Sequence, residues 1–121
     1  GCQYCQAHTS VSATRHGISA DKISAAWDYD NSDLFTTAEK VALEFALAAA
    51  SAPNNVTDEL YDRLSEHWQE GEIVEMLAVI AMFGFLNRWN DTMATPLEDE
   101  AATHAGQLIA DSGWTAGKHG G

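Results

Sequence analysis

The chain has 121 residues and a hydrophobic fraction of 45%, enough for one domain with its own core. Eighteen acidic residues against six basic ones give a formal net charge of −12, a surface that repels phosphate backbones and argues against nucleic-acid and anionic-membrane partners. The most apolar run, Met76 to Leu86, has eleven residues, against the ~20 that a membrane span takes.

No basic start followed by an apolar stretch marks a secretory signal, so a cytoplasmic location is expected. The chain opens on Gly1-Cys2 without an initiator methionine. It therefore reads as a single helical domain over residues 1–121 that forms the C-terminal portion of a longer chain.

Period-two alternation of β-branched residues is absent and alanine is abundant, so the expected fold class is all-α, with about six helices. The first helix is predicted from Tyr4 to His16, ending at Gly17. A second runs from Ala20 to Trp27, followed by a polar loop over Asp28–Asp33. Thr36 and Glu39 have the spacing of a capping box and open a third helix that runs to Ala50, before Pro53. A fourth starts after Thr57, with Asp58 and Glu59 at its positive end and Leu60, Leu64 and Trp68 as a buried stripe.

The fifth helix, from Glu72 to Ala94, is apolar on nearly every side between Ile73 and Leu86. A helix apolar all round is buried all round, which predicts a central helix, a subunit interface, or both. Asn87, Asn90 and Asp91 share one face near its end that could line the site or a subunit contact, with a solvated helix end as the favoured reading, and Pro96 stops it. A last helix is predicted over Leu97–Asp111, with Glu98-Asp99-Glu100 as its solvated start, and the glycine-rich tail from Gly113 as irregular. Met76, Met82, Phe83 and Phe85 read as core, as do the four tryptophans as anchors in core or interface.

The chemistry concentrates at the start. Cys2, Cys5 and His8 are spaced by three, which stacks them on one face of a helix. A CxxC pair closes too small a loop to staple a fold. A helix start, where free N–H groups and the macrodipole favour a thiolate, is the place for a reactive one. An imidazole one turn on can exchange a proton with a thiol or a bound peroxide. The pair can then cycle through a sulfenic acid to a disulfide. A structural zinc site takes four ligands, and the chain has no second cysteine pair; His16, His67, His104 and His119 are scattered. Tyr4, between the cysteines, could hydrogen-bond a peroxide, with packing as the favoured reading. Covalent haem needs His directly after the second Cys, and Gln6 stands there.

The segment from Gly1 to Thr9 resembles the active-site segment of the alkyl hydroperoxidase D-like, carboxymuconolactone decarboxylase superfamily. Residues Glu72–Glu75 through Phe85–Asp91 are similar to that family's long helix, and Gly113-Trp114 with Gly117-Lys118-His119 to the tails of its peroxidase-related members. The resemblance implies an alkyl hydroperoxidase D-like helical bundle with the CxxC at a helix N-terminus, assembled as a homo-oligomer (trimer or hexamer). It implies an antioxidant thiol peroxidase acting on organic hydroperoxides or hydrogen peroxide, with a thiol, thioredoxin-like or lipoyl reductant and no metal or organic cofactor. Cys5 matches the attacking cysteine and Cys2 the resolving one. His8 matches the relay histidine with an offset of one residue, and the family's relay glutamate falls upstream of Gly1. The Cys5 thiol is expected below the unperturbed value of about 8.5. The alternatives are a carboxymuconolactone decarboxylase-type lyase, whose chemistry needs no dithiol, and a non-catalytic zinc-binding or structural oligomer.

Overall fold

The computed structural model describes residues 1–121 and contains six α-helices and no strand. They are α1 (Gln3–Arg15), α2 (Ala20–Ser24), α3 (Thr37–Ala50), α4 (Asp58–Ser65), α5 (Glu70–Met93) and α6 (Asp99–Leu108). The chain divides into two compact units, one of Gly1–Asp28 with Phe85–Gly121 and one of Tyr29–Gly84. No helix is long and apolar enough to cross a membrane.

In the first unit α1 lies against α6 through small side chains. Ala7 and Ala105 have no exposed surface, and they join Ile23, Leu97, Ala101 and Ile109 in one cluster. Tyr4 and Trp114 pack against it. The Trp114 indole N–H also donates to the Gln3 carbonyl at 3.1 Å, which ties the tail to the first turn of α1. Gly17 ends α1 in the left-handed region at φ +83°, as a C-terminal glycine cap does.

In the second unit Val41 and Phe45 of α3, Leu60 and Leu64 of α4 and Ile73 of α5 form a separate core. The Thr36–Glu39 capping box is present in both directions: Thr36 Oγ1 accepts from the Glu39 N–H at 3.2 Å, and the Glu39 carboxylate accepts from the Thr36 N–H at 2.9 Å. Thr57 caps α4 through the Leu60 N–H. Trp68 lies beyond the end of α4, and its indole N–H donates to the Ala38 carbonyl at 3.0 Å.

Three expectations need correcting. α2 stops at Ser24, and residues 25–31 form 3-10 turns with a kink at Asp28, so most of the expected polar loop is helical turn. The tail is ordered into a 3-10 turn at Gly117–His119, held where the Leu97 N–H donates to the His119 carbonyl at 2.8 Å. The fifth helix is not buried all round in this chain. Of its residues only Ile73 is buried, while Val74, Leu77, Val79, Met82, Phe85 and Trp89 are exposed.

Candidate active site

Cys2 is the N-cap of α1. Its backbone is extended, and its Sγ accepts the Cys5 N–H at 3.4 Å. The sulfur thus takes the position that a serine or aspartate oxygen takes at other helix starts. Both cysteines are free and buried, 3% and 6% exposed. The expected low Cys5 thiol is overturned: burial, and then the hydrogen bond and charge of the Cys2 sulfur, push it up to about 11. Charge on Cys5 is thus disfavoured both by its burial and by the sulfur one turn before it.

Asn90 of α5 partly opposes that shift, its side-chain N–H directed at Cys5 Sγ over 3.8 Å. Thr95 fixes the amide by donating its hydroxyl to Asn90 Oδ1 at 2.9 Å. Asn90 and Asp91 therefore belong to the neighbourhood of the dithiol, not to a solvated helix end.

His8 follows Cys5 by one turn, and its Nε2 lies 2.8 Å from Glu98 Oε2 at the start of α6. Tyr4 completes this group. Its ring centroid is 4.5 Å from that of His8, and its hydroxyl donates to Glu98 Oε1 at 3.4 Å. Burial and then Glu98 raise the Tyr4 phenol above its ordinary value. Glu98 is held below the usual carboxylate range by its own backbone N–H and by the His8 ring. An open cleft of about 220 Å³ adjoins the pair, lined among others by Arg15, Glu100 and His104.

On the other side of Cys2 lies His119, from the last turn of the chain. Its side chain has no exposed surface. Nδ1 lies 2.9 Å from the Thr95 carbonyl oxygen. A carbonyl only accepts, so Nδ1 carries the ring hydrogen, and in the neutral ring Nε2 is a bare lone pair. Nε2 has no hydrogen-bond partner, and the nearest carboxylate oxygen, Asp91 Oδ1, is 3.6 Å away. The other oxygen of Asp91 accepts from the Lys118 ammonium at 3.0 Å, which, with His119, holds Asp91 below the usual carboxylate range.

Cys2 Sγ, an Asp91 oxygen and a His119 ring nitrogen lie within 4.8 Å of one another. Three donors are one short of the four that a structural zinc takes, and the Lys118 ammonium already pairs with the carboxylate.

The structure thus brings Cys2 and Cys5 together at the start of α1 and places His8 on Glu98. It adds His119, which the sequence leaves among the scattered histidines, and it places by the dithiol Asn90 and Asp91, for which the sequence favours a solvated helix end. The polar Asn90-Asp91 step at the end of an apolar helix is the one local sign of them.

No family model matches the chain. It is 34% identical over 97 residues to the Escherichia coli (strain K12) protein YnjA, itself uncharacterized, a match covering 80% of this chain and 53% of that one. It is 33% identical over 92 residues to the uncharacterized protein YdfG of Bacillus subtilis (strain 168), covering 74% of this chain and 60% of that one. The chain therefore spans between half and three-fifths of the length of these curated relatives. Its fold matches the crystal structure of the debrominase Bmp8 with a TM-score of 0.81 and 36% identity, over 89% of this chain and 58% of that one. A cysteine-to-alanine variant of Bmp8 in complex with 2,3,4-tribromopyrrole matches equally well, at 35% identity.

Proposed function

We propose that this chain carries the redox site of a thiol-dependent reductase, and that its substrate is an organic hydroperoxide or hydrogen peroxide. The observation that carries this reading is the pair itself: two free, buried sulfurs one helical turn apart at the start of α1, the first of them accepting the Cys5 N–H. The likeness to an enzyme solved as a cysteine variant supports cysteine-based catalysis.

A thiolate attacks one peroxide oxygen, the O–O bond breaks, and the alcohol leaves with a proton. The resulting sulfenic acid is attacked by the second sulfur, which expels water and closes the disulfide. Two electrons pass from the dithiol to the peroxide. An external thiol, thioredoxin-like or lipoyl reductant restores them. The family resemblance gives the first attack to Cys5 and resolution to Cys2. The raised Cys5 thiol, disfavoured as a thiolate by burial and by the Cys2 sulfur, supports the reverse order.

The assembly is a homo-oligomer in this reading. The apolar side chains that α5 leaves exposed, from Val74 to Trp89, support a second copy covering them.

The test is hydroperoxide consumption with a dithiol reductant. Cys2→Ser and Cys5→Ser should each lose roughly a hundredfold or more of the turnover rate. Turnover equal to wild type in both variants would refute the reading. A dimedone-type trap should label Cys2 in the Cys5→Ser variant after one equivalent of peroxide, whereas a label found only on Cys5 of Cys2→Ser would restore the order that the resemblance gives.

The likeness to Bmp8 favours a second reading, reductive removal of bromine from an electron-rich ring. Thiolate attack on bromine breaks the C–Br bond and leaves a ring carbanion, which takes a proton. The second thiol then displaces bromide and forms the same disulfide. Release of bromide from a brominated pyrrole, with no consumption of hydroperoxide, would favour this reading over the first.

A further inference from the structure

Neither sulfur of the pair is a good nucleophile until a proton has left, and His8 is drawn to Glu98 on the exposed side of α1. We propose that His119 is the group that takes the proton of Cys2. The inference rests on the thiol-redox reading above and assigns that chemistry its base.

The His119 ring is fixed from several directions. Its backbone N–H donates to the Ala116 carbonyl at 3.0 Å, and its carbonyl accepts the Leu97 N–H at 2.8 Å. Nδ1–H is committed to Thr95, and the Tyr4 ring stands 6.0 Å away. What remains is a fully buried Nε2 without a partner, on the side where Asp91 stands. A buried nitrogen left unpaired in an otherwise satisfied site calls for a function. A ring nitrogen of His119 lies within 4.8 Å of the Cys2 sulfur, and with Nδ1 committed to Thr95 it is Nε2 that a rotation of the thiol or one bridging water can reach.

The titratable and charged groups around the ring are Cys2 with Cys5 behind it, Tyr4 from α1, Asp91 from α5 and Lys118 from its own turn. Transfer of the Cys2 proton to Nε2 gives a thiolate and an imidazolium. The new N–H lies toward the Asp91 carboxylate, whose other oxygen is neutralised by Lys118, so the ion pair gains a counter-charge already in place. After the sulfur has attacked the peroxide oxygen, the same N–H returns its proton to the leaving alkoxide.

The experiment uses the full chain with its cysteines reduced. His119→Asn retains an N–H for the Thr95 carbonyl and removes Nε2. The pH dependence of Cys2 alkylation by iodoacetamide, read by mass spectrometry of the modified peptide, should shift to higher pH in this variant. The rate near pH 7 should fall roughly a hundredfold and recover as hydroxide replaces the base. The second measurement, on the unmodified sequence, is 15N NMR of the histidines. Nε2 of His119 should gain a proton as Cys2 loses one, and should lose it on oxidation to the disulfide, while Nδ1 stays protonated throughout. An unshifted alkylation profile in a folded variant, or a His119 ring indifferent to the redox state of the pair, overturns the inference. Failure of the peroxide reading looks different: the alkylation profile shifts as stated while the wild type consumes no hydroperoxide.

Discussion

His8 Nε2 lies 2.8 Å from Glu98 Oε2, a contact between the second turn of α1 and the N-cap of α6 across ninety positions of sequence. The pair joins the two helices that frame the first unit. It also turns the imidazole that follows the CxxC toward the surface. The consequence is measurable at Glu98, whose carboxyl is held below the usual range partly by that ring. In His8→Ala the Glu98 carboxyl should titrate at higher pH, as read from its side-chain 13C shift. An unchanged midpoint would mean that the pair does not form in solution.

The Cys5 thiol gives the reduced protein a pH dependence with a defined sign. In the folded chain it is pushed up to about 11 from an ordinary value of 9.0. Between those values the unfolded chain has lost this proton and the folded one retains it. The contribution to stability is therefore fully present below about pH 9 and is lost as pH rises toward 11. Chemical denaturation under reducing conditions should show the wild type losing stability across that window faster than Cys5→Ala. Parallel curves would contradict the raised thiol.

Two substitutions in the second unit test its core and its cap. Leu64 has no exposed surface, so Leu64→Ala should cost about 2–5 kcal/mol of unfolding free energy. Thr36→Ala removes one half of the capping box and should cost about 1 kcal/mol. Both are read from denaturant midpoints at constant slope. A loss below about 1 kcal/mol for Leu64→Ala would place that side chain outside a packed core.

The exposed stretch of α5 separates a monomer from an assembly. If a second copy covers it, Val79→Glu should lower the sedimenting mass of the native protein and leave its helical content unchanged. Identical sedimentation of variant and wild type, both as the monomer, would contradict the oligomer.

Much of this fold is legible in short-range signals. Thr36 with Glu39, Thr57 before Asp58, Gly17 after α1 and Pro96 after α5 mark helix ends through backbone hydrogen bonding, which acts over three or four residues. For the same reason the place of Cys2 at the start of α1 follows from its neighbours. Whether a helix apolar all round is covered does not, because that depends on what packs against it; α5 has the composition of a buried helix and the exposure of an uncovered one. The partners of the dithiol are also beyond local signals. Asp91 comes from the last turn of α5 and His119 from the chain's final residues, and the tail is held there by Trp114 on Gln3 and by His119 on Thr95. The spacing that points to His8 is a true helical spacing, yet the ring's direction is decided by Glu98 on another helix.

In the proposed function Cys2 and Cys5 act together as a two-electron donor. Its most direct test is a single turnover without added reductant: the fully reduced chain is mixed with one equivalent of organic hydroperoxide, and intact mass and free thiols are followed together. One alcohol should form per chain while the protein loses two hydrogens and both thiols, and peptide mapping should find a Cys2–Cys5 disulfide. Both thiols still free after the peroxide has been exposed to the reduced protein would contradict it.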